Sequence, residues 1–231
     1  MVYHVLNRAN ARTQIFDSPA DYELFEQVLE QGHERVAMRP VAYCLMPNHW
    51  HLVLWPQGDG DLSEFMRWLT VTHTQRWHAS HGTAGAGHVY QGRYKSFPVQ
   101  RTRPSAEARR QGMLEGGDAV LSVLRYVERN PLRAKLARRA EAWAYSSLHV
   151  RAGGTLGGDI PLTDPPGGLP AGWANWVNQP QTQKEIDAIC RSMERGCPFG
   201  RDDWVRRVVG QWGLESTIRP RGRPRKTHKG S

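Results

Sequence analysis

The chain has 231 residues, a hydrophobic content of 39% and nine tryptophans, which suits either one folded domain of about 150 residues with an appendage or two small domains. Its three cysteines have no Cys-x-x-Cys spacing, which excludes a disulfide framework. No apolar run approaches the roughly 18 residues of a membrane span, and no charged-then-apolar leader opens the chain. We therefore expect a soluble cytoplasmic protein without a membrane partner.

The net charge of +9 is concentrated at the C terminus. Residues 219–231 hold six basic side chains and no acidic one, so the rest of the chain carries only +3. A basic tail on a nearly neutral body favours a polyanionic partner, because released counterions supply affinity without sequence preference. The alternative is a solvated terminus with no partner.

Hydrophobic periodicity predicts four strands and two helices in the first hundred residues. Their order, β-α-β-β-α-β, is the ferredoxin-like split arrangement of an α+β fold. We expect both helices to cover one sheet face and the other face to stay open to a ligand and a third helix. Pro98 predicts that the fourth strand lies at an edge. The predicted strands are residues 3–8, 39–45, 49–55 and 94–100, and the predicted helices are residues 19–36 and 62–78.

The second half of the chain is predicted to be mainly helical. Residues 101–118 are expected to form a loop that is basic in its first half. A helix follows at 119–128 and ends at Asn130-Pro131, because a residue before proline is disfavoured in the α region. The predicted organisation is a folded core at 1–150, a Gly/Pro-rich linker or ordered loop at 151–172, a helical extension at 173–218 with helices at 183–194 and 202–212, and a basic tail at 219–231.

Two histidines flank a tryptophan at the start of the third strand, in the sequence His49-Trp50-His51. Successive side chains of a strand point to opposite faces, so both imidazoles project to one side and Trp50 to the other. Two neutral imidazoles side by side can hold a metal ion. Such a pair also arises by chance in a histidine-rich chain, which is the competing interpretation.

Tyr126 and Asn130 are four residues apart on the third predicted helix, so both side chains emerge on one face. An amide oxygen can ligate a hard cation, and a phenol can attack a phosphorus atom held by that cation. A half-buried core tyrosine and an ordinary Asn-Pro helix end are the competing interpretations.

Together these residues resemble a known family. His49-Trp50-His51 resembles the HUH motif of single-tyrosine (Y1) transposases, whose catalytic fold has the ferredoxin-like arrangement described above. Residues 126–134 resemble the Y-x-x-x-N-P-x-R-A segment of REP-associated tyrosine transposases (RAYT), and the basic tail is also typical of that branch. Further agreeing stretches are Tyr3-His4-Val5 with Asn7-Arg8, Met46-Pro47-Asn48, residues 90–96, and Trp143 with Ser146-Ser147.

The resemblance implies a metal-dependent endonuclease and strand transferase acting on single-stranded DNA. Tyr126 would form a 5′-phosphotyrosine and free a 3′-hydroxyl, while His49, His51 and Asn130 would ligate Mg²⁺ or Mn²⁺. The implied substrates are hairpin-forming, REP-like palindromes, and the location is cytoplasmic, at the nucleoid. Relatives act as dimers that exchange tyrosine helices, so a monomer and a homodimer both stay open. Insertion-sequence members carry Gln where Asn130 stands, and the 101–118 loop is longer than in relatives.

The DNA contacts are predicted from the position of basic residues near the histidine pair and in the tail. Tyr90, Tyr94 and Trp77 are predicted to stack on unpaired bases if they do not belong to the core. Residues 221–224 also match the core of an AT-hook, which reads the minor groove. The predicted contacts are Arg8, Arg12, Arg93, Lys95, Arg219, Arg221, Arg223, Arg225 and Lys226.

Two other functions compete with the nuclease. One is a DNA-binding regulatory protein that keeps the fold without turnover. The other is an unrelated metallophosphoesterase, which would need further His or Asp ligands near the pair. The sequence around residues 46–55 supplies none, and the intact tyrosine, histidines and asparagine favour the nuclease.

Overall fold

The computed structural model describes residues 1–101, 118–155 and 160–219, apart from the side chain of Arg12. Most of the predicted 101–118 loop therefore lies outside the described residues. So do the tail residues Arg221, Arg223, Arg225 and Lys226, with the AT-hook match.

A four-stranded antiparallel sheet in the order β2-β3-β1-β4 forms the centre of the fold. The edge position predicted for the fourth strand is confirmed, and a later segment covers that edge. The Phe199 N–H donates to the Pro98 carbonyl at 2.9 Å, and the Gln100 N–H donates to the Phe199 carbonyl at 2.9 Å. The strands are β1 (Val2–Arg8), β2 (Arg39–Met46), β3 (His49–Trp55) and β4 (Lys95–Val99).

The helices complete the predicted β-α-β-β-α-β order and extend it with a helical C-terminal region. In the described part of the chain, the strands and the longer helices agree with the predicted bounds to within three residues. None of the described helices is both long and apolar enough to cross a bilayer. They are α1 (Pro19–Arg35), α2 (Asp61–His81), α3 (Ala119–Glu128), α4 (Asn130–Arg133), α5 (Ser147–Arg151), α6 (Trp173–Asn178), α7 (Gln183–Arg195), α8 (Asp202–Trp212) and α9 (Glu215–Ile218).

Helices α1 and α2 cover one face of the sheet, as predicted, and enclose a hydrogen-bonded aromatic cluster. Trp50 points from β3 into this layer, and its Nε1–H donates to Tyr90 Oη at 3.0 Å. The Tyr90 hydroxyl then donates to Nδ1 of His73, 2.7 Å away. Because these polar atoms pair with one another, three large side chains with polar groups can be buried together.

The opposite face is not open, which corrects the expectation from the sequence. Helix α3 lies on it with Val120, Val123, Leu124 and Val127 almost fully buried, and helices α6 and α7 pack alongside. The apolar side chains of α3 need a partner surface, and Val53, Phe97 and Val99 of the sheet provide it. The third helix therefore occupies the face, and a cavity beside the histidines remains.

A buried carboxylate at the end of α3 ties the later helices to this layer. Glu128 is fully buried and accepts hydrogen bonds from Ser147 Oγ and Trp173 Nε1, both at 2.6 Å. Nε of Arg151 lies 3.4 Å from the same carboxylate. Burial raises the pKa of Glu128, while Arg151 and the two hydrogen bonds oppose that rise. The network thereby anchors α5 and α6 to α3.

The described residues between α5 and α6 pack against the sheet. Ile160 is buried in the core beneath α1 and α2, and the Thr163 N–H donates to the Pro40 carbonyl at 2.8 Å. Asp164 lies 3.3 Å from Arg151. Residues 160–172 therefore form an ordered connection along β2 that leads into α6.

Replacing Arg151 by Met should lower the free energy of unfolding by about 3 kcal/mol, because the buried Glu128 carboxylate would lose its compensating charge. Denaturant titration measures this loss. Arg201→Met is the control, since it removes an exposed ion pair with Asp203 and should have little effect. Equal losses for the two variants would contradict a structural role for the buried pair.

Acid should destabilise the protein between about pH 6.5 and pH 3. Burial lowers the pKa of His4 and of His73 from 6.5 to about 3, because the charged ring would lose its hydration. The unfolded chain binds protons on both rings in this window and the folded chain does not, so stability is lost as pH falls. Melting temperature against pH measures the slope, which His73→Gln should reduce. The exposed His88→Gln is the control, and an unchanged slope in His73→Gln would contradict the assignment.

Candidate functional site

Strand β3 brings His49 and His51 to the α3 side of the sheet and Trp50 to the other side, as the strand geometry predicts. The two imidazole centroids lie 5.0 Å apart. Their positions in the sheet differ, because His49 is half-buried at the start of the strand and His51 is only 3% exposed. The pair therefore reaches from the edge of the cavity into its floor.

Each imidazole of the pair has its Nδ1 atom engaged in a hydrogen bond. Nδ1 of His49 lies 2.6 Å from Asn48 Oδ1, to which it donates. Nδ1 of His51 lies 2.9 Å from Nε2 of His4, a β1 residue whose ring stacks on His51 at a centroid distance of 5.0 Å. When the Nδ1 atoms donate these bonds, both Nε2 atoms keep a lone pair for a ligand.

The surroundings keep both rings neutral. Burial, with smaller contributions from Arg8 and Arg133, lowers the pKa of His49 to about 4. Burial and the neighbouring His4 and His49 rings hold the pKa of His51 well below its ordinary value. A neutral imidazole is the form that binds a metal ion, so the pair is prepared for that role across the neutral pH range.

Tyr126 and Asn130 meet this pair from the opposite wall of the cavity. The Tyr126 ring lies edge-on to His51 at a centroid distance of 6.0 Å. The side chains of Tyr126 and Asn130 are each 6% exposed. The Asn130 amide is oriented by a 3.3 Å hydrogen bond from its Nδ2 to the Val127 carbonyl. The break between α3 and α4 at Arg129 places Asn130 one turn beyond Tyr126, with Pro131 in the first turn of α4.

Arg133 connects the tyrosine and the asparagine, a role that sequence reasoning did not assign although the residue belongs to the segment resembling RAYT proteins. Its guanidinium carbon lies 3.8 Å from the centroid of the Tyr126 ring, and its Nη2 donates to Asn130 Oδ1. Burial raises the pKa of the Tyr126 phenol, and the Arg133 charge works against that rise. Arg133 follows Asn130 by three residues, about one helical turn, and this spacing was the sequence signal from which the contact could have been predicted.

The four residues predicted for catalysis and metal binding line a single cavity of about 640 Å³: His49, His51, Tyr126 and Asn130. Three of the predicted DNA contacts, Arg8, Arg93 and Lys95, are exposed residues that line the same cavity. A cavity with two imidazoles, an amide, a phenol and three cations suits a phosphodiester.

Helix α7 completes the cavity, which the sequence gave no reason to expect. It contributes Cys190, Met193 and Glu194 to the wall. The Cys190 sulfur lies 3.9 Å from the Tyr126 hydroxyl, within hydrogen-bonding distance for sulfur. The C-terminal extension therefore contributes to the cavity. The spacing of apolar residues in this segment predicted a helix but gave no indication of where that helix would pack.

The remaining predicted DNA contacts do not join this cavity in the described residues. Arg12 belongs to a short 3₁₀ helix, Asn10–Arg12, and its side chain is outside the description. Arg219 is exposed and its carbonyl accepts from Arg195. Of the predicted stacking residues, Tyr90 and Trp77 are engaged by core hydrogen bonds, the latter from its Nε1 to the Ile15 carbonyl at 2.9 Å. Tyr94 is half-buried and packs against the core beneath α1 and α2.

Among the described side chains, no three His, Cys, Asp or Glu residues cluster closely enough to hold a metal ion. A metal at His49 and His51 would thus need the Asn130 amide and oxygens of a bound phosphate to fill its coordination shell. That donor set also lacks the additional ligands that a metallophosphoesterase would require.

Comparisons with known proteins found a family model and solved structures to which this chain is similar. Residues 1–110 match the family model for IS200-like transposases. The structure of a REP-associated tyrosine transposase bound to a REP hairpin is 20% identical, with a TM-score of 0.47, covering 72% of this chain and 89% of that one. A candidate transposase from Deinococcus radiodurans R1 is 18% identical, with a TM-score of 0.36, covering 52% of this chain and 92% of that one. No curated protein matches the chain significantly. Residues 1–110 are thus similar to IS200-like transposases.

Proposed function

We propose that this protein cleaves and rejoins single-stranded DNA at hairpin-forming, REP-like palindromes, with Tyr126 as the nucleophile. The observation that carries the proposal is the meeting of Tyr126 and Asn130 with His49 and His51 in one cation-lined cavity. The choice of a REP-like palindrome as the substrate rests on the resemblance of residues 126–134 to the REP-associated branch. This segment lies outside residues 1–110, to which the family model matches.

A divalent cation, Mg²⁺ or Mn²⁺, fits the residues present. Nε2 of His49 and of His51 and Oδ1 of Asn130 would hold it, since both rings stay neutral and the amide oxygen has a second lone pair beside its bond to Arg133. When bound, such a cation polarises the phosphate and disperses the charge of the transition state.

The chain's own residues supply the covalent step. The Tyr126 hydroxyl loses its proton to water, and its oxygen bonds to phosphorus as the bond from phosphorus to the 3′-oxygen breaks. The departing 3′-oxygen takes a proton from water, which leaves a 5′-phosphotyrosine and a free 3′-hydroxyl. Arg133 over the phenol ring favours the phenolate that attacks. Arg8, Arg93 and Lys95 hold the DNA backbone. The covalent bond retains the energy of the diester for rejoining.

The distances within one chain favour cleavage without exchange of helices. Tyr126 lies beside His51 of its own chain, with ring centroids 6.0 Å apart. The Glu128 network fixes the tyrosine helix against α5 and α6 of the same chain. We therefore propose that Tyr126 acts with the histidine pair of its own chain, in a protein that cuts as a monomer.

Tyr126→Phe should abolish formation of a covalent protein–DNA adduct and leave hairpin binding near the wild-type level, because only the nucleophilic oxygen is removed. Denaturing gels of labelled hairpin DNA with Mn²⁺ measure the adduct, and fluorescence anisotropy measures binding. Tyr3→Phe is the matched control, since that phenol lies with the core on the other face of the sheet.

Two results would contradict the proposal. An adduct that persists in Tyr126→Phe would exclude Tyr126 as the nucleophile. Tight hairpin binding by the wild-type protein with no adduct in Mn²⁺ or Mg²⁺ would instead favour the regulatory DNA-binding protein.

His49→Gln should weaken Mn²⁺ binding at least about tenfold, since the loss of even an outer partner of a metal ligand costs that much. Electron paramagnetic resonance of Mn²⁺ with the folded protein measures the affinity without relying on turnover. His88→Gln is the control, because this exposed imidazole lies outside the cavity. Equal Mn²⁺ affinity for the two variants would remove His49 from the metal site.

A further inference from the structure

His4 is a fully buried residue of β1 that contacts both a proposed metal ligand and the proposed nucleophile. Its Nε2 atom lies 2.9 Å from Nδ1 of His51, and the two rings are nearly parallel, at 15°. Its ring is also nearly perpendicular to that of Tyr126, at a centroid distance of 6.5 Å. His4 itself does not line the cavity. It therefore acts on a bound cation through His51.

The other ring nitrogen of His4 has no hydrogen-bond partner among the described residues. This atom, Nδ1, is buried, and the neighbouring ring of Phe97, 4.9 Å away between centroids, offers it no polar group. The large majority of buried polar atoms in folded proteins are paired, and an unpaired one costs stability. The exception at His4 calls for an explanation.

The hydrogen bond between the two rings can run in either direction, because a neutral imidazole has a proton on one nitrogen and a lone pair on the other. In the first arrangement Nε2–H of His4 donates to Nδ1 of His51, and the proton of His51 is on its Nε2. In the second, Nδ1–H of His51 donates to Nε2 of His4, and the proton of His4 is on its Nδ1. Both rings are neutral in both arrangements, and the number of bound protons is the same.

The unpaired Nδ1 atom of His4 decides between the two arrangements in the metal-free protein. The first arrangement leaves a lone pair there without a partner, whereas the second leaves an N–H group. Orphaned buried N–H groups are rarer than orphaned acceptors in native proteins, so the first arrangement is the more stable one. It leaves no lone pair on Nε2 of His51, however. Ligation of a cation by His51 therefore requires the second arrangement.

We propose that His4 is a positioning residue for the cation, and that the hydrogen bond between His4 and His51 reverses its direction when a cation binds. His51 then gives its Nε2 proton to water, the shared proton crosses to Nδ1 of His51, and Nδ1 of His4 takes a proton from water. No net proton is released, and neither ring changes its charge. This inference rests on the proposed metal site, because it assigns His4 the part of holding the Nε2 lone pair of His51 toward the cation.

Nuclear magnetic resonance of the full chain with ¹⁵N-labelled histidines tests the reversal without turnover. Long-range proton–nitrogen correlations show which ring nitrogen carries the proton, and Mg²⁺ is used because it is diamagnetic. His4 and His51 should both carry the proton on Nε2 in EDTA and both on Nδ1 with Mg²⁺, at the same pH. The variants His4→Gln and His51→Gln identify the two sets of signals.

His49 is the internal control for this measurement. Its Nδ1–H donates to Asn48 Oδ1, so its proton should stay on Nδ1 with and without Mg²⁺. Only the resonance of its Nε2 atom should shift on binding. His49 therefore reports that the site is occupied, independently of the bond between His4 and His51.

Replacing His4 tests its positioning role through the Mn²⁺ affinity, measured by electron paramagnetic resonance. His4→Leu leaves Nδ1–H of His51 without an acceptor and should weaken Mn²⁺ binding at least about tenfold, the usual cost of removing the outer partner of a metal ligand. His4→Gln offers an amide oxygen as the acceptor and should retain most of the affinity. His73→Leu is the matched control, since it removes another fully buried imidazole, on α2, and should leave the affinity unchanged. Circular dichroism checks that each variant is folded.

The proposal is overturned if His51 carries its proton on Nδ1 already in EDTA, or if the proton stays on Nε2 while Mg²⁺ shifts the signal of His49. It is also overturned if His4→Gln binds Mn²⁺ as weakly as His4→Leu does. No response of either His49 or His51 to Mg²⁺ would refute the metal site and this inference together. A reversal with Mg²⁺ in a protein that forms no covalent adduct with hairpin DNA would refute the nuclease and support the role of His4.

Discussion

The packing of α3 on the sheet is the interaction on which the site depends. Four apolar side chains of one short helix bury against the sheet face that carries the histidine pair, and this burial forces Tyr126 next to His51. Glu128 then fixes the end of the helix, because a buried carboxylate must keep its partners. Helix α3 cannot rotate or slide without exposing apolar surface or separating the buried Glu128 carboxylate from its partners.

Electrostatics divide the cavity into neutral and charged parts. The imidazoles of His49 and His51 are kept neutral because burial and nearby cations disfavour a further positive charge. The permanent cations stand at the rim, where they remain hydrated, and Arg133 lies behind the tyrosine ring. This arrangement suits an anionic diester, since the imidazole rings stay neutral while the surrounding field attracts phosphate.

The C-terminal extension is part of the folded unit in the described structure. Helix α7 closes the cavity over Tyr126, and residues around Phe199 cover the edge of β4. Arg125 further holds the extension by hydrogen bonds to the carbonyls of Trp176, Gln179 and Pro180. Two peptide groups at this edge, the Pro98 carbonyl and the Gln100 N–H, are thereby paired within the chain.

Local periodicity was enough to predict the strands, the longer helices and the split β-α-β-β-α-β order, because each depends on nearest neighbours along the chain. It also predicted that His49 and His51 share a face and that Tyr126 and Asn130 share another. The sequence did not determine that α3 closes the second sheet face, that His4 and Arg133 orient these residues, or that Cys190 approaches the tyrosine. Those contacts join residues far apart in the chain or depend on side-chain orientation, and burial and hydrogen-bond pairing set them only once the chain has folded.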